Sequence, residues 1–83
     1  MEYNIQYKKS VYRDLKNVSK DEAKRIIEKL ETSLRENPLS NPELKGEFKG
    51  LRKLRVGDYR VIYAVQKSDV LILRIRHRKE VYR

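Results

Sequence analysis

The chain has 83 residues, of which 40% are charged, and 21 Lys and Arg stand against 12 Asp and Glu for a net charge of +9. So short a chain makes a single domain, residues 1–83, with a small core, and its positive excess points to an anionic partner: nucleic acid first, then an acidic protein or an anionic membrane. There is no cysteine, which excludes a disulfide framework and a thiolate metal site and fits a cytoplasmic protein. No run approaches the ~20 apolar residues of a transmembrane helix, and "MEYNIQYKKS" lacks the apolar stretch of a signal peptide.

Tyr3, Ile5 and Tyr7 alternate, which predicts a first strand with one buried face. Val11, Leu15 and Val18 follow at the i, i+4, i+7 spacing of one helical face. Ser19 opens a stronger helix. With Glu22 three residues on it matches a capping box, and Asp21 and Glu22 suit the positive end of the helix dipole. Ala23, Ile26, Ile27, Leu30 and Leu34 form the apolar stripe of that helix; Lys24, Arg25, Glu28 and Arg35 form its wet face. Pro38 and Pro42 stop the helix and fit a loop packed by Leu39, Leu44 and Phe48.

After Gly50 the period changes to two. Strands are expected at about 51–56, 59–66 and 70–77, with turns at Gly57-Asp58 and Lys67-Ser68-Asp69. The order is an N-terminal strand, a two-helix hairpin, then an antiparallel three-stranded meander. This is an α+β domain in which the strands form one sheet and both helices cover one face of it.

Alternation sorts the residues of the hairpin. Leu54, Val56, Tyr59, Val61, Tyr63 and Val65 share one face, suited to packing on the helices. Leu51, Lys53, Arg55, Arg60, Ile62 and Ala64 share the other, which two helices on the first face leave open. A two-residue loop sets Arg55 directly opposite Arg60, and like charges so placed repel. Any one of these cations could simply keep an exposed sheet soluble. Gathered together, with Asp58 in the turn as the only acid between Arg52 and Arg60, they make sense if an anion neutralises them. Arginine's planar fork suits phosphate, and it stays charged at every relevant pH.

The C-terminal segment "RIRHRKEVYR" adds Arg74, Arg76, His77, Arg78, Lys79 and Arg83, with Tyr82 near its end. A frayed basic tail is the plain reading of such a run. Val81 and Tyr82 are apolar enough to dock, however, and docking would bring His77, Arg78 and Tyr82 near the hairpin cations. Cations interleaved with an aromatic suit stacking on an unpaired base. A lone histidine builds no metal site, and no carboxylate pair, Ser-His-Asp set or Gly-rich phosphate loop is present. An enzyme of this composition would work without metal or cofactor, mostly through cations.

"LKGEFKG", "LRKLRVGDYRVIYAV" and "HRKEVYR" resemble, in order and spacing, the RelE/ParE superfamily of toxins from toxin–antitoxin pairs. The likeness spans nearly the whole chain. It implies the toxin of a type II pair whose partner is an acidic, helical, RelB-like antitoxin. RelE-like members are ribosome-dependent endoribonucleases that cut messenger RNA in the decoding site; ParE-like members inhibit DNA gyrase by protein–protein contact. By this resemblance Lys53 matches the general base and Arg60 the transition-state arginine, with Arg55 in the same patch. Tyr82 matches the tyrosine that stacks on the nucleotide. Arg76, His77 and Arg78 are alternatives for the general acid. Arg52, Arg55, Arg74, Lys79 and Arg83 complete the expected phosphate contacts. Leu51 stands where the RelE pattern has a second lysine, and Arg52 stands at a place usually aromatic. The hairpin lysine and C-terminal tyrosine favour the ribosomal reading over the gyrase one; a nucleic-acid binder without chemistry is a third.

Overall fold

The computed structural model describes residues 2–44, 50–77 and 79. Strand β1 (Asn4–Tyr7) leads into helix α1 (Lys9–Leu15) and helix α2 (Lys20–Glu36). A single 3₁₀ turn (Pro38–Ser40) follows, then strands β2 (Leu51–Val56), β3 (Tyr59–Gln66) and β4 (Asp69–His77). The four strands form one sheet in the order β1-β4-β3-β2. The last three make the antiparallel meander, while β1 runs parallel to β4. The sheet is therefore mixed: β1 and β2 lie at opposite edges, and α2 contacts both.

Local chemistry accounts for the elements. Ser19 accepts a hydrogen bond from the Glu22 N–H at 3.3 Å, with Asp21 and Glu22 in the first turn. Ile26, Leu30 and Leu34 of α2 bury against Leu54, Val56, Val61, Tyr63, Val70, Ile72 and Ile75 of the sheet, with Val11 from α1. Gly57 takes φ 59° in the first hairpin turn, where a β-carbon would be strained. The second turn needs only Lys67 and Ser68, with Lys67 at φ 57°, and Asp69 already belongs to β4.

The loop after α2 differs from expectation. Pro38 is buried there, and Leu39 is 52% exposed because the 3₁₀ turn carries it outward. Tyr63 is the reason Pro38 lies inside: its hydroxyl donates to the Pro38 carbonyl at 2.6 Å and accepts from the Asn41 amide at 3.0 Å. Burial pushes the pKa of that phenol up. Phe48 lies outside the described residues. No helix among the described residues is long and apolar enough to cross a membrane.

Candidate nucleic-acid interface

The strand register builds the site. Arg55 pairs with Arg60, and Arg60 with Arg76, so three arginines line up across three strands. In the next row stand Lys53, Ile62 and Arg74, and beyond it Leu51, Ala64 and Leu71. All lie on the side of the sheet away from the buried stripe of α2. Neighbouring strands are about 4.7–4.9 Å apart, so the arginine row spans roughly 10 Å, and Lys53 sits diagonally from Arg60 at about 7–8 Å.

Backbone hydrogen bonds sharpen this picture. The Lys53 N–H donates to Pro42 O at 3.3 Å, and Leu44 N–H donates to Leu51 O at 2.8 Å. Odd-numbered residues of β2 therefore turn their peptide groups away from β3. Arg55 and Arg60 then form a non-hydrogen-bonded pair, whose Cα atoms approach to about 4.5 Å and whose side chains are the closer kind. Neither Lys53 nor Arg55 has a salt-bridge partner among the described residues. Arg60 and Arg76 each have an interaction within the chain.

A β-bulge delivers the third arginine. Tyr63 pairs with Ile72 and Ile62 with Arg74, leaving Leu73 as an extra residue on β4. Uninterrupted alternation would put Arg74 and Arg76 on the same side as Val70 and Ile72, in the core. The extra residue reverses the parity, so that Ile75 is buried and Arg76 joins Arg60. Ser10 of α1 fixes the bulge by donating its hydroxyl to Leu73 O at 2.6 Å.

Asp14, which sequence reasoning passed over, holds the neighbouring part of β4. β1 pairs with β4 only as far as Ile72, and α1 covers the strand edge beyond it. The Asp14 carboxylate accepts from the Ile75 N–H at 2.9 Å and from Arg74 Nε and Nη2, both at 2.9 Å. Burial alone would raise its pKa. The Arg74 hydrogen bond, the Ile75 N–H and the charges of Arg74 and Arg76 outweigh that and hold it below the usual carboxylate range. Its signal in the sequence is an acid at i+3 from Val11 and next to Leu15, on the inward face of an otherwise basic helix. A charge there requires a partner.

The expected residues thus separate. Lys53, Arg55, Arg60 and Arg76 come together. Arg74 is in the adjoining row, but Asp14 grips it in a bidentate pair. Arg52 is on the opposite face, beside Tyr63, where it donates to Leu39 O at 3.2 Å and Asn41 O at 2.6 Å and approaches Glu43 at 3.8 Å. It secures the loop between α2 and β2, away from the cation rows. His77 pairs in register with Tyr59, on the helix side and not beside Arg60. Its ring meets the Tyr59 ring edge-on, with centroids 5.1 Å apart, and its Nδ1 accepts from the Lys79 N–H at 3.2 Å. The two rings, with Asp14, Asn17, Val18 and Ile75, line a cleft of about 210 Å³. Lys79 is exposed; Arg78, Tyr82 and Arg83 lie outside the described residues.

Chemically, this face offers fixed positive charge and hydrogen-bond donors, with the Asp14 carboxylate engaged by Arg74 at its margin. It can bind a phosphodiester and stabilise added negative charge on it. Comparison with known proteins adds the family context. The model of the family described as "ParE toxin of type II toxin-antitoxin system, parDE" matches residues 5–82. The RelE1 protein of Methanocaldococcus jannaschii is 32% identical over 91 aligned positions, covering 100% of this chain and 98% of that one. In the toxin–antitoxin complex RelBE2 from Mycobacterium tuberculosis, one chain superposes with a TM-score of 0.84 at 26% identity, covering 93% of this chain and 99% of that one. In the RelB–RelE antitoxin–toxin complex from Methanococcus jannaschii the values are 0.71, 30%, 93% and 94%.

Proposed function

Since the chain belongs to the ParE toxin family of type II toxin–antitoxin systems, within the RelE/ParE superfamily, we propose that it is a RelE-type toxin, a metal-independent endoribonuclease that cuts messenger RNA on the ribosome. The observation that carries this reading is the gathering of Lys53, Arg55, Arg60 and Arg76 on the sheet face turned away from α2. The 2′-hydroxyl attacks the adjacent phosphorus as Lys53 takes its proton. The new P–O2′ bond forms, the P–O5′ bond breaks, and the products are a 2′,3′-cyclic phosphate and a 5′-hydroxyl. Arg55 and Arg60 flank Lys53 and hold the charge that builds on the phosphorane. Arg76 stands beside Arg60 in register, which favours it over His77 as the proton donor to the leaving oxygen; Arg78 keeps that role open on sequence alone. Tyr82 stacks on a base by the same resemblance. The partner is a RelB-like antitoxin, as in the RelBE complexes of the structural relatives.

A reconstituted translation system tests the proposal. Arg60→Ala should slow cutting of ribosome-bound messenger by about 10²–10³-fold, the loss usual for one preorganised donor, and leave the far-ultraviolet circular dichroism unchanged. Normal cutting by that variant overturns the assignment. The ParE description of the matching family supports a second reading, a gyrase inhibitor acting by protein contact. Inhibition of supercoiling that survives Lys53→Met, with no RNA cleavage, would establish it instead.

A further inference from the structure

We propose that the outer face of α1 and its C-cap, formed by Lys9, Tyr12, Arg13 and the capping Lys16, is a second RNA-contact surface that grips phosphates and stacks Tyr12 on an unpaired base. The inference rests on the RNA reading above but concerns a separate surface, and binding rather than cleavage measures it. These four residues fall at i, i+3, i+4 and i+7, and all are exposed. Tyr12 is 60% exposed, the most exposed large hydrophobic side chain among the described residues. The sole acid of α1, Asp14, is turned inward onto Arg74 and the Ile75 N–H, so the outer face carries one sign of charge only.

A solvated helix face would not look like this, and α2 provides the contrast within the same protein. Its exposed residues mix Lys20, Lys24, Arg25, Lys29 and Arg35 with Asp21, Glu28 and Glu36. It also begins with a hydroxyl cap and acids in the first turn. α1 begins with Lys8 at the cap position and Lys9 next, with no side-chain cap bond and no acid in its first turn. Cations there oppose the helix dipole and cost stability. Arg13 in the last turn and Lys16 at the C-cap suit the dipole, but Lys8 and Lys9 do not. A short helix that forgoes an N-cap and starts with cations, around an exposed ring, is arranged for an anion that also has a flat face. RNA has both; an acidic protein surface satisfies only the charge. The placement is continuous with the phosphate face, because α1 lies along the β4 edge where Asp14 holds Arg74 and feels the charge of Arg76.

Fluorescence anisotropy with a labelled RNA hairpin bearing a single-stranded loop, titrated over a range of salt, tests this. The triple variant Lys9→Gln, Arg13→Gln, Lys16→Gln should weaken binding more than tenfold. It should also flatten the slope of log K against log salt by about 2, at roughly 0.7 per phosphate contact. Tyr12→Ala should weaken binding about 5- to 150-fold while leaving the slope unchanged. A matched variant on α2, Lys24→Gln, Arg25→Gln, Lys29→Gln, should have a much smaller effect. Equal slopes for the two triple variants, or wild-type affinity for Tyr12→Ala, overturn the proposal. So does loss of affinity for a poly-glutamate peptide with RNA binding intact, which would assign the face to an acidic protein. The cutting assay on Arg60→Ala judges the chemistry of the sheet face separately, so either claim can fail alone.

Discussion

The two faces of the sheet share the same strands and serve opposite purposes. On one, Leu54, Val61, Tyr63, Ile72 and Ile75 bury beneath Ile26, Leu30 and Leu34, and each contact lowers the free energy of the fold. On the other, Arg55, Arg60 and Arg76 stand side by side across three strands, and the mutual repulsion of like charges so placed opposes folding. A chain of 83 residues has little stability to spare. The lesson is that the first face stabilises the molecule enough to tolerate the like charges of the second, whose crowding is what the proposed function accounts for.

Exchanging the two effects would break that contrast. Leu30→Ala, in the centre of the buried face, should lower stability by about 2–5 kcal/mol in urea unfolding, while cutting per folded molecule stays near wild type. Arg60→Ala should do the reverse, as described above. A loss of activity in Leu30→Ala at low temperature, where it is folded, would mean that the faces are not separable.

The Asp14 clamp lies where the two faces meet, and its effect should be intermediate. Asp14→Ala strands the Ile75 N–H and should cost about 1–3 kcal/mol. Its pH dependence has a definite sign. The folded carboxyl titrates below its unfolded value of about 3.9. Its contribution is therefore complete above that value and is lost as the pH falls through the folded pKa. The stability difference between wild type and Asp14→Asn, followed by urea unfolding, should be constant near neutrality and shrink only below about pH 4. A difference that shrinks instead between pH 6 and 8 would show that another group controls the clamp.

The smallest expected effect is the most direct test of the open face. Arg55→Thr removes one member of the close arginine pair and should stabilise the protein by up to about 1 kcal/mol. Adding inorganic phosphate should raise the melting temperature of the wild type more than that of this variant, since an anion bound to the folded state stabilises it. Equal shifts for both would mean that the pair does not hold the anion.

Much of this was readable from local pattern. The 3.6-residue stripe from Ile26 to Leu34, the Ser19 cap and the alternation from Leu54 to Val65 each identify an element from residues close in sequence. The two-residue turn at Gly57-Asp58 then fixes the pairing of Arg55 with Arg60, because hairpin register depends on loop length. The same logic stops at β4, where Val70, Leu71, Ile72 and Leu73 are all apolar and no parity can be read from them. Alternation alone already separates Arg52 from Lys53; the family resemblance put both in the site, and the structure shows Arg52 securing a loop while Lys53 joins the cation rows.

By itself, then, the sequence determined the kinds of elements, the buried stripe and the like-charged pair, since these depend on periodicities that short stretches carry. Only the tertiary structure decided that β1 runs parallel beside β4, that Leu73 bulges and brings Arg76 next to Arg60, and that Asp14 takes Arg74. Those outcomes depend on which groups meet across 60 or more residues at one strand edge, where Ser10 and Asp14 satisfy backbone groups that β1 is too short to reach.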